Sequence, residues 1–226
     1  MKEKVHMVLA IDTSSPIVGV AVRCGTKLLA SIAASTQRSS RELLRMIDRA
    51  LSQAKATVHD LDGLVALRGP GSFTGIRIGL GTIYGLHQAL DIPAQGVSTL
   101  EVLAAAAPKQ HRTVVAAVNA QRGEWFVESF EIGGHRDSLG PPRCLSPESI
   151  GEMSPAVIVG HGVHDALGPF VSRGTTMIEP ASLAPVALLH WSEPGPDWNP
   201  QTLTEPLYCR QAAATEQRKA PQDSKA

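Results

Sequence analysis

The run Gly69-Pro70-Gly71-Ser72-Phe73-Thr74-Gly75-Ile76-Arg77-Ile78-Gly79-Leu80-Gly81 constrains this chain more than any other stretch. A glycine-rich turn leads straight into an apolar segment that itself carries glycines. The spacing predicts a helix over roughly 74–90. On its wheel Gly75, Ile78, Gly79, Gly81, Thr82, Gly85, Leu86 and Ala89 fill one continuous arc, and only Arg77, Tyr84, His87 and Gln88 make a polar strip. An interior glycine costs a helix about 1 kcal/mol relative to alanine. Such a sequence persists where something approaches the backbone closely: a phosphate, the chain's own sheet, or a second protein.

Spacing argues against the familiar phosphate and nucleophile motifs. A P-loop needs G-x-x-x-x-G-K-S/T, but Gly71 and Gly75 are only four apart and no lysine follows. A dinucleotide fingerprint needs G-x-G-x-x-G, and Gly75 comes one residue late after Gly69 and Gly71. Ser72 lacks the two flanking glycines of a nucleophile elbow. Close packing on the chain's own sheet and packing on a partner both remain.

At 226 residues the chain has room for one large domain or two small lobes. Its 43% hydrophobic content describes a soluble globular protein, and no apolar run reaches the ~18 residues of a membrane span. Met1-Lys2-Glu3-Lys4-Val5-His6 does not read as a secretory signal. Cys24, Cys144 and Cys209 are scattered, without a C-x-x-C, which suggests reduced thiols and a cytoplasmic location. The 21 basic and 21 acidic residues balance, which argues against strong nucleic-acid binding by this chain alone.

The order of elements gives two related halves. Strands are expected at 5–11, 17–23 and 28–34, joined by short turns, followed by a helix from the capping box Ser39-x-x-Glu42 to about residue 54. On that helix Leu43, Leu44, Met46, Ile47, Ala50, Leu51 and Ala54 share one face; Arg41, Arg45, Asp48, Arg49 and Ser52 share the other. A strand at 63–67, the glycine turn and helix, a strand at 94–97 and a helix ending before Pro108 complete the first lobe, residues 1–108. The second lobe, 109–212, restarts with strands at 113–118 and 125–132 and a weaker one near 143–145. Its helices are expected at 147–153, 163–171 and 181–191, with a strand at 156–160. Residues 213–226 read as a disordered tail.

A strand–strand–strand–helix–strand–helix lobe used twice suggests an α/β, two-lobed actin-like (ASKHA, RNase H-like) fold, each lobe opening with a three-strand meander. In that architecture Asp12-Thr13-Ser14, at the end of the first strand, occupies the place of a phosphate- and metal-gripping acid; the competing reading is a turn aspartate bonding its own backbone. The matching place in the second lobe is Asn119, which is neutral and weakens a Mg²⁺–phosphate centre. His161, His164 and Asp165 lack a marked third partner for a metal site, so no metal is expected. Ser72, His87 and Asp91 form a triad in composition only.

Leu9-Ala10-Ile11-Asp12-Thr13-Ser14, the Gly69–Gly79 segment and Gly96-Val97-Ser98-Thr99-Leu100-Glu101 closely resemble the TsaB (YeaZ) family. Weaker echoes lie at Gly123-Glu124 and Glu205-Pro206-Leu207-Tyr208-Cys209-Arg210. The resemblance implies a two-lobed actin-like protein without its own catalytic centre or cofactor. It would act as a scaffold for TsaD, the threonylcarbamoyl transferase, together with the ATPase TsaE, in making tRNA N6-threonylcarbamoyladenosine. tRNA would be met only through the complex, and the isolated chain is open to homodimerising. In the family the TsaD contact is a bundle of N-lobe helices. By position this makes Leu44, Met46, Ile47, Gly75, Gly79 and Thr82 interface candidates, and Asp12, Thr13 and Ser14 a vestigial phosphate site.

The sequence departs from the family at Ser39, where relatives commonly have His, and at Arg45, where they commonly have Pro. The second hairpin reads Asn119-Ala120-Gln121-Arg122-Gly123-Glu124-Trp125-Phe126 in place of D-A-R-x-G-E-V-Y. Two other classes of function compete: a degenerate nucleotide-dependent ATPase or kinase, and a peptidase. The sequence has no H-E-x-x-H and no recognisable nucleophile motif.

Overall fold

A computed structural model describes residues 6–35, 40–108, 110, 113–132, 136–190 and 198–208. The capping residue Ser39, Trp191, Cys209, Arg210 and the tail 213–226 lie outside the described residues.

The first sheet contains β1 (Met7–Asp12), β2 (Val18–Cys24), β3 (Lys27–Ala34), β4 (Gly63–Leu67) and β5 (Ala94–Val97). Its order is β3-β2-β1-β4-β5; β1 pairs antiparallel with β2 and parallel with β4. Strand β4 is buried along its whole length and β1 from Val8 onward, because helices cover both faces. The pleat separates the faces. Leu9, Ile11, Val20, Val22, Leu64 and Ala66 point into one core, while Val8, Ala10, Ala21, Val65 and Leu67 point into another.

Helices α1 (Ser40–Ala54) and α2 (Phe73–Leu90) cover the first of these faces. On α1 the buried set is Leu43, Met46, Ile47, Ala50 and Leu51, an i, i+3, i+4, i+7, i+8 stripe. Leu44, expected on that face, is instead 47% exposed. It lies at the edge of the stripe, where one helical step carries a side chain out of the core.

The second sheet repeats the plan. Its strands are β6 (Thr113–Gln121), β7 (Glu124–Ile132), β8 (Arg136–Ser138), β9 (Arg143–Leu145), β10 (Val157–Val159) and β11 (Thr176–Ile178). The order is β11-β10-β6-β7-β8, with β9 also on β7, so both sheets run third–second–first–fourth–fifth. The third position is split between β8 and β9, and β11 was not expected from the sequence. Strand β6 runs through Asn119 to Gln121, not only to residue 118. The turn falls later because Gln121, Arg122 and Gly123 take the left-handed backbone (φ 66°, 55° and 79°). Helices α4 (Pro147–Glu152) and α5 (Val163–Leu167) cover the outer face, α5 ending earlier than expected.

Helices α3 (Thr99–Ala105) and α6 (Ala184–His190) lie between the sheets. Each packs on the other half's sheet: α3 on β6 and β7, and α6 on β1 and β2. The layers therefore run α1/α2, first sheet, α3/α6, second sheet, α4/α5, which is the two-lobed actin-like fold. The sequence boundary near residue 108 falls between α3 and β6. Residues 198–208 also return to the first lobe, where Leu207 N–H donates to the Arg68 carbonyl at 2.8 Å.

Candidate functional site

The glycine turn closes over the end of β1. Asp12, Thr13, Ser14 and Ser15 are between 0% and 5% exposed. The Asp12 carboxylate is saturated by its own loop. Oδ1 accepts from Ser14 N and Ser14 Oγ, both at 2.7 Å, and from Ser15 N at 3.3 Å; Oδ2 accepts from Ser15 Oγ. Such a carboxylate is a turn organiser, and burying its charge is tolerable because the donors are supplied locally. Thr13 Oγ1 donates to the Gly75 carbonyl at 2.7 Å, and Ser72 N–H donates to the Ser14 carbonyl at 2.8 Å. Ser14 Oγ also meets Thr99 Oγ1 at 3.0 Å. The start of α2 thus packs directly on the loop that was a candidate for a vestigial phosphate site.

This contact explains half of the glycines. A Cβ on Gly71 would run into the Ser14 carbonyl, and one on Gly79 into Thr13 Oγ1. Gly75 is buried in the same seam. Gly81 and Gly85 are different: a Cβ there would meet nothing within 4 Å, and both positions are exposed. Close packing on the chain's own loop and an open outer surface belong to different glycines of one helix. Sequence reasoning put all of them on one arc and passed over Gly81 and Gly85 as surface.

Of the six interface candidates, two reach the outside. Met46 and Ile47 are 2% and 1% exposed inside the core beneath α1, and Gly75 and Gly79 are under the Asp12 loop, so none of the four presents a side chain to a second protein. Leu44 is exposed, and Thr82 is half-buried with its hydroxyl donating to the Ile78 carbonyl at 2.8 Å. Along the exposed side of α2 run Phe73, Arg77, Gly81, Tyr84 and Gly85. At its start Arg77 lies 3.9 Å over the Phe73 ring, Phe73 meets Tyr208 at 4.8 Å, and Arg77 Nε donates to Tyr208 Oη at 3.2 Å. This clip ties the 205–208 segment to α2; its residues are far apart in sequence, and no local signal announced it.

Asn119 matches Asp12 in role as a turn former. Its Oδ1 accepts from Gln121 N at 2.7 Å, two residues on, as Asp12 accepts from Ser14 N. The triad composition does not assemble, because Ser72 caps the start of α2 while His87 bonds the Ile92 carbonyl at its far end, about 20 Å away. His164 pairs with Glu179 at 3.1 Å. The nearby His161 is held below the usual imidazole pKa by burial, partly offset by Asp12 and Glu179. Among the described residues no group of three or more His, Cys, Asp or Glu is placed to hold a metal ion. Glu101, on the exposed side of α3, is raised above the usual carboxylate range, first by partial desolvation and then by Glu128, with Arg68 working the other way; desolvation raises Glu128 as well.

The family model of TsaD, tRNA N6-adenosine threonylcarbamoyltransferase, matches residues 27–156. The chain is 31% identical over 174 residues to the tRNA threonylcarbamoyladenosine biosynthesis protein TsaB of Escherichia coli, covering 74% of this chain and 71% of that protein. It belongs to the TsaB (YeaZ) family. The solved structure of YeaZ from Pseudomonas aeruginosa superposes with a TM-score of 0.68 at 26% identity, over 83% of this chain and 92% of that one. An uncharacterized protein with similarity to peptidase YeaZ from Pseudomonas aeruginosa superposes at 0.73 and 25% identity, over 91% and 100%. Among the described residues of this TsaB-family chain no helix is long and apolar enough to cross a membrane.

Proposed function

We propose that this TsaB-family protein is a non-catalytic subunit of the tRNA threonylcarbamoyladenosine machinery, a scaffold and activator for TsaD working with TsaE. The observation that carries the reading is the Asp12 loop. Its carboxylate already accepts four hydrogen bonds from its own chain, and the α2 turn covers it. Displacing those donors for a metal–phosphate group would leave buried polar atoms unpaired, at about 1–3 kcal/mol each. Contact with tRNA comes through the complex, in keeping with the charge balance, and the cytoplasm is the expected compartment.

The partner face on this reading is the outer side of α1 and α2. Leu44 and Tyr84 supply exposed apolar area, and Gly81 and Gly85 offer backbone open to close approach. The test is reconstitution of tRNA modification from purified TsaD, TsaE, threonylcarbamoyl-AMP and tRNA, with and without this chain. Modification that depends on adding the chain, with no ATP hydrolysis or peptidase activity by the chain alone, is the expected result. Equal modification without it, or hydrolysis that survives repurification, contradicts the proposal.

A further inference from the structure

His161 stands where the two halves of the molecule meet. It follows strand β10, which ends at Val159. The Asp12 carboxylate, at the end of β1, and Glu179, just beyond β11, both lie near enough to act on its charge. Asp12 belongs to the first half and Glu179 to the second. Ser182, three residues past Glu179, touches the end of the first sheet as well. A Cβ on Gly19, the residue paired with Asp12, would run into its hydroxyl. His161 Nε2 and Ser182 Oγ are both buried, and among the described residues neither has a hydrogen-bond partner.

A neutral imidazole can occupy such a place at the cost of an unmade hydrogen bond, but a buried imidazolium needs an acceptor. The titratable groups around His161 are Asp12 from β1, Glu179 from the end of β11 and His164 from α5. Both carboxylates are already engaged. Asp12 accepts four hydrogen bonds from Ser14 and Ser15. Glu179 Oε1 accepts from His164 N at 3.1 Å and meets His164 Nδ1 at the same distance. Burial accordingly outweighs the two acids and holds His161 below the usual imidazole pKa. A base lowered in this way stabilises the fold above its ordinary pKa, and that stability is lost as pH falls below it. We propose that His161 is an acid-sensitive lock between the two halves. Neutral, it lets the segment 179–184 close on the end of β1; protonated, it draws water into the junction and loosens it. The lock does not depend on which partner the first lobe binds.

Three measurements on the full chain, between about pH 7.5 and about pH 5, test it. The first is an NMR titration of the wild-type histidine side chains. The His161 imidazole should titrate below the ordinary value of about 6.5. The second is the Tm of wild type and of His161→Gln, which stays neutral throughout. Wild type should lose at least about 3 °C more than the variant on going to the lower pH. The third is amide hydrogen exchange, corrected for the intrinsic effect of pH. Protection should fall in wild type at residues 12–19 and 178–184 before it falls elsewhere, and should persist there in the variant. A His161 that titrates at or above the ordinary value overturns the lock. So do Tm curves that run parallel, and so does protection lost evenly along the chain. If His161→Gln does not fold, the titration and the exchange of wild type decide alone.

Discussion

Asp12 holds its loop by accepting hydrogen bonds. Asp12→Asn places an amide donor among the Ser14 and Ser15 donors, and should destabilise the protein by about 1–3 kcal/mol in chemical denaturation. Modification by the surviving folded complex should be unchanged; loss of modification with the complex intact would reveal a nucleotide site at this loop. Gly79→Ala should cost about 1–3 kcal/mol because its methyl group meets Thr13, whereas Gly81→Ala should be neutral or stabilising by up to about 1 kcal/mol. Equal effects at the two positions would contradict the division between seam and surface. Glu101 and Glu128 raise one further expectation. Both carboxyls are raised in the folded state, so their favourable contribution is complete below the ordinary carboxylate range and is lost as pH rises through their folded pKa values. Glu101→Gln should therefore raise the Tm at neutral pH and change it little at about pH 3; a lower Tm at neutral pH would contradict this.

At the scale of elements, helix α2 shows what was legible in the sequence. Its bounds and its need for close packing could be read from apolar spacing and glycine cost. Its two glycine faces could not, because Gly79 and Gly81 differ only in whether the β1 loop lies beneath them. Strands β1, β2, β4 and β5 announced themselves as apolar runs between turn residues. Strand β11 is three residues long, too short for any periodic signal, and the end of β6 was missed because left-handed Gln121 and Arg122 carry no glycine signature. The exchange of α3 and α6 onto opposite sheets is a long-range matter, invisible in local pattern. The open face of α2 gives a prediction of its own. Gly85→Leu should leave the Tm of the isolated protein within a few degrees of wild type, yet weaken binding to TsaD at least about tenfold. Unimpaired binding would move the contact off α2.

For the whole molecule, the decisive arrangement is the core shared by both sheets. Leu100, Leu103, Ala184, Ala187 and Leu188 of α3 and α6 pack with Val8, Val65, Val114, Phe130 and Val159 from the two sheets. A continuous core of this kind predicts that the lobes unfold together, with coincident transitions by circular dichroism and fluorescence. Among the described residues, Leu44 of α1 and Gly81, Tyr84 and Gly85 of α2 stay exposed away from this shared core, while Tyr208 is clipped to the start of α2. On the proposed function, this outer face holds TsaD. Size-exclusion chromatography with light scattering, on this chain mixed with TsaD from the same organism, tests it most directly. A stable hetero-complex that elutes ahead of either protein is the expected result. Separate elution of the two proteins, with ATP and TsaE present as well as without them, would contradict it.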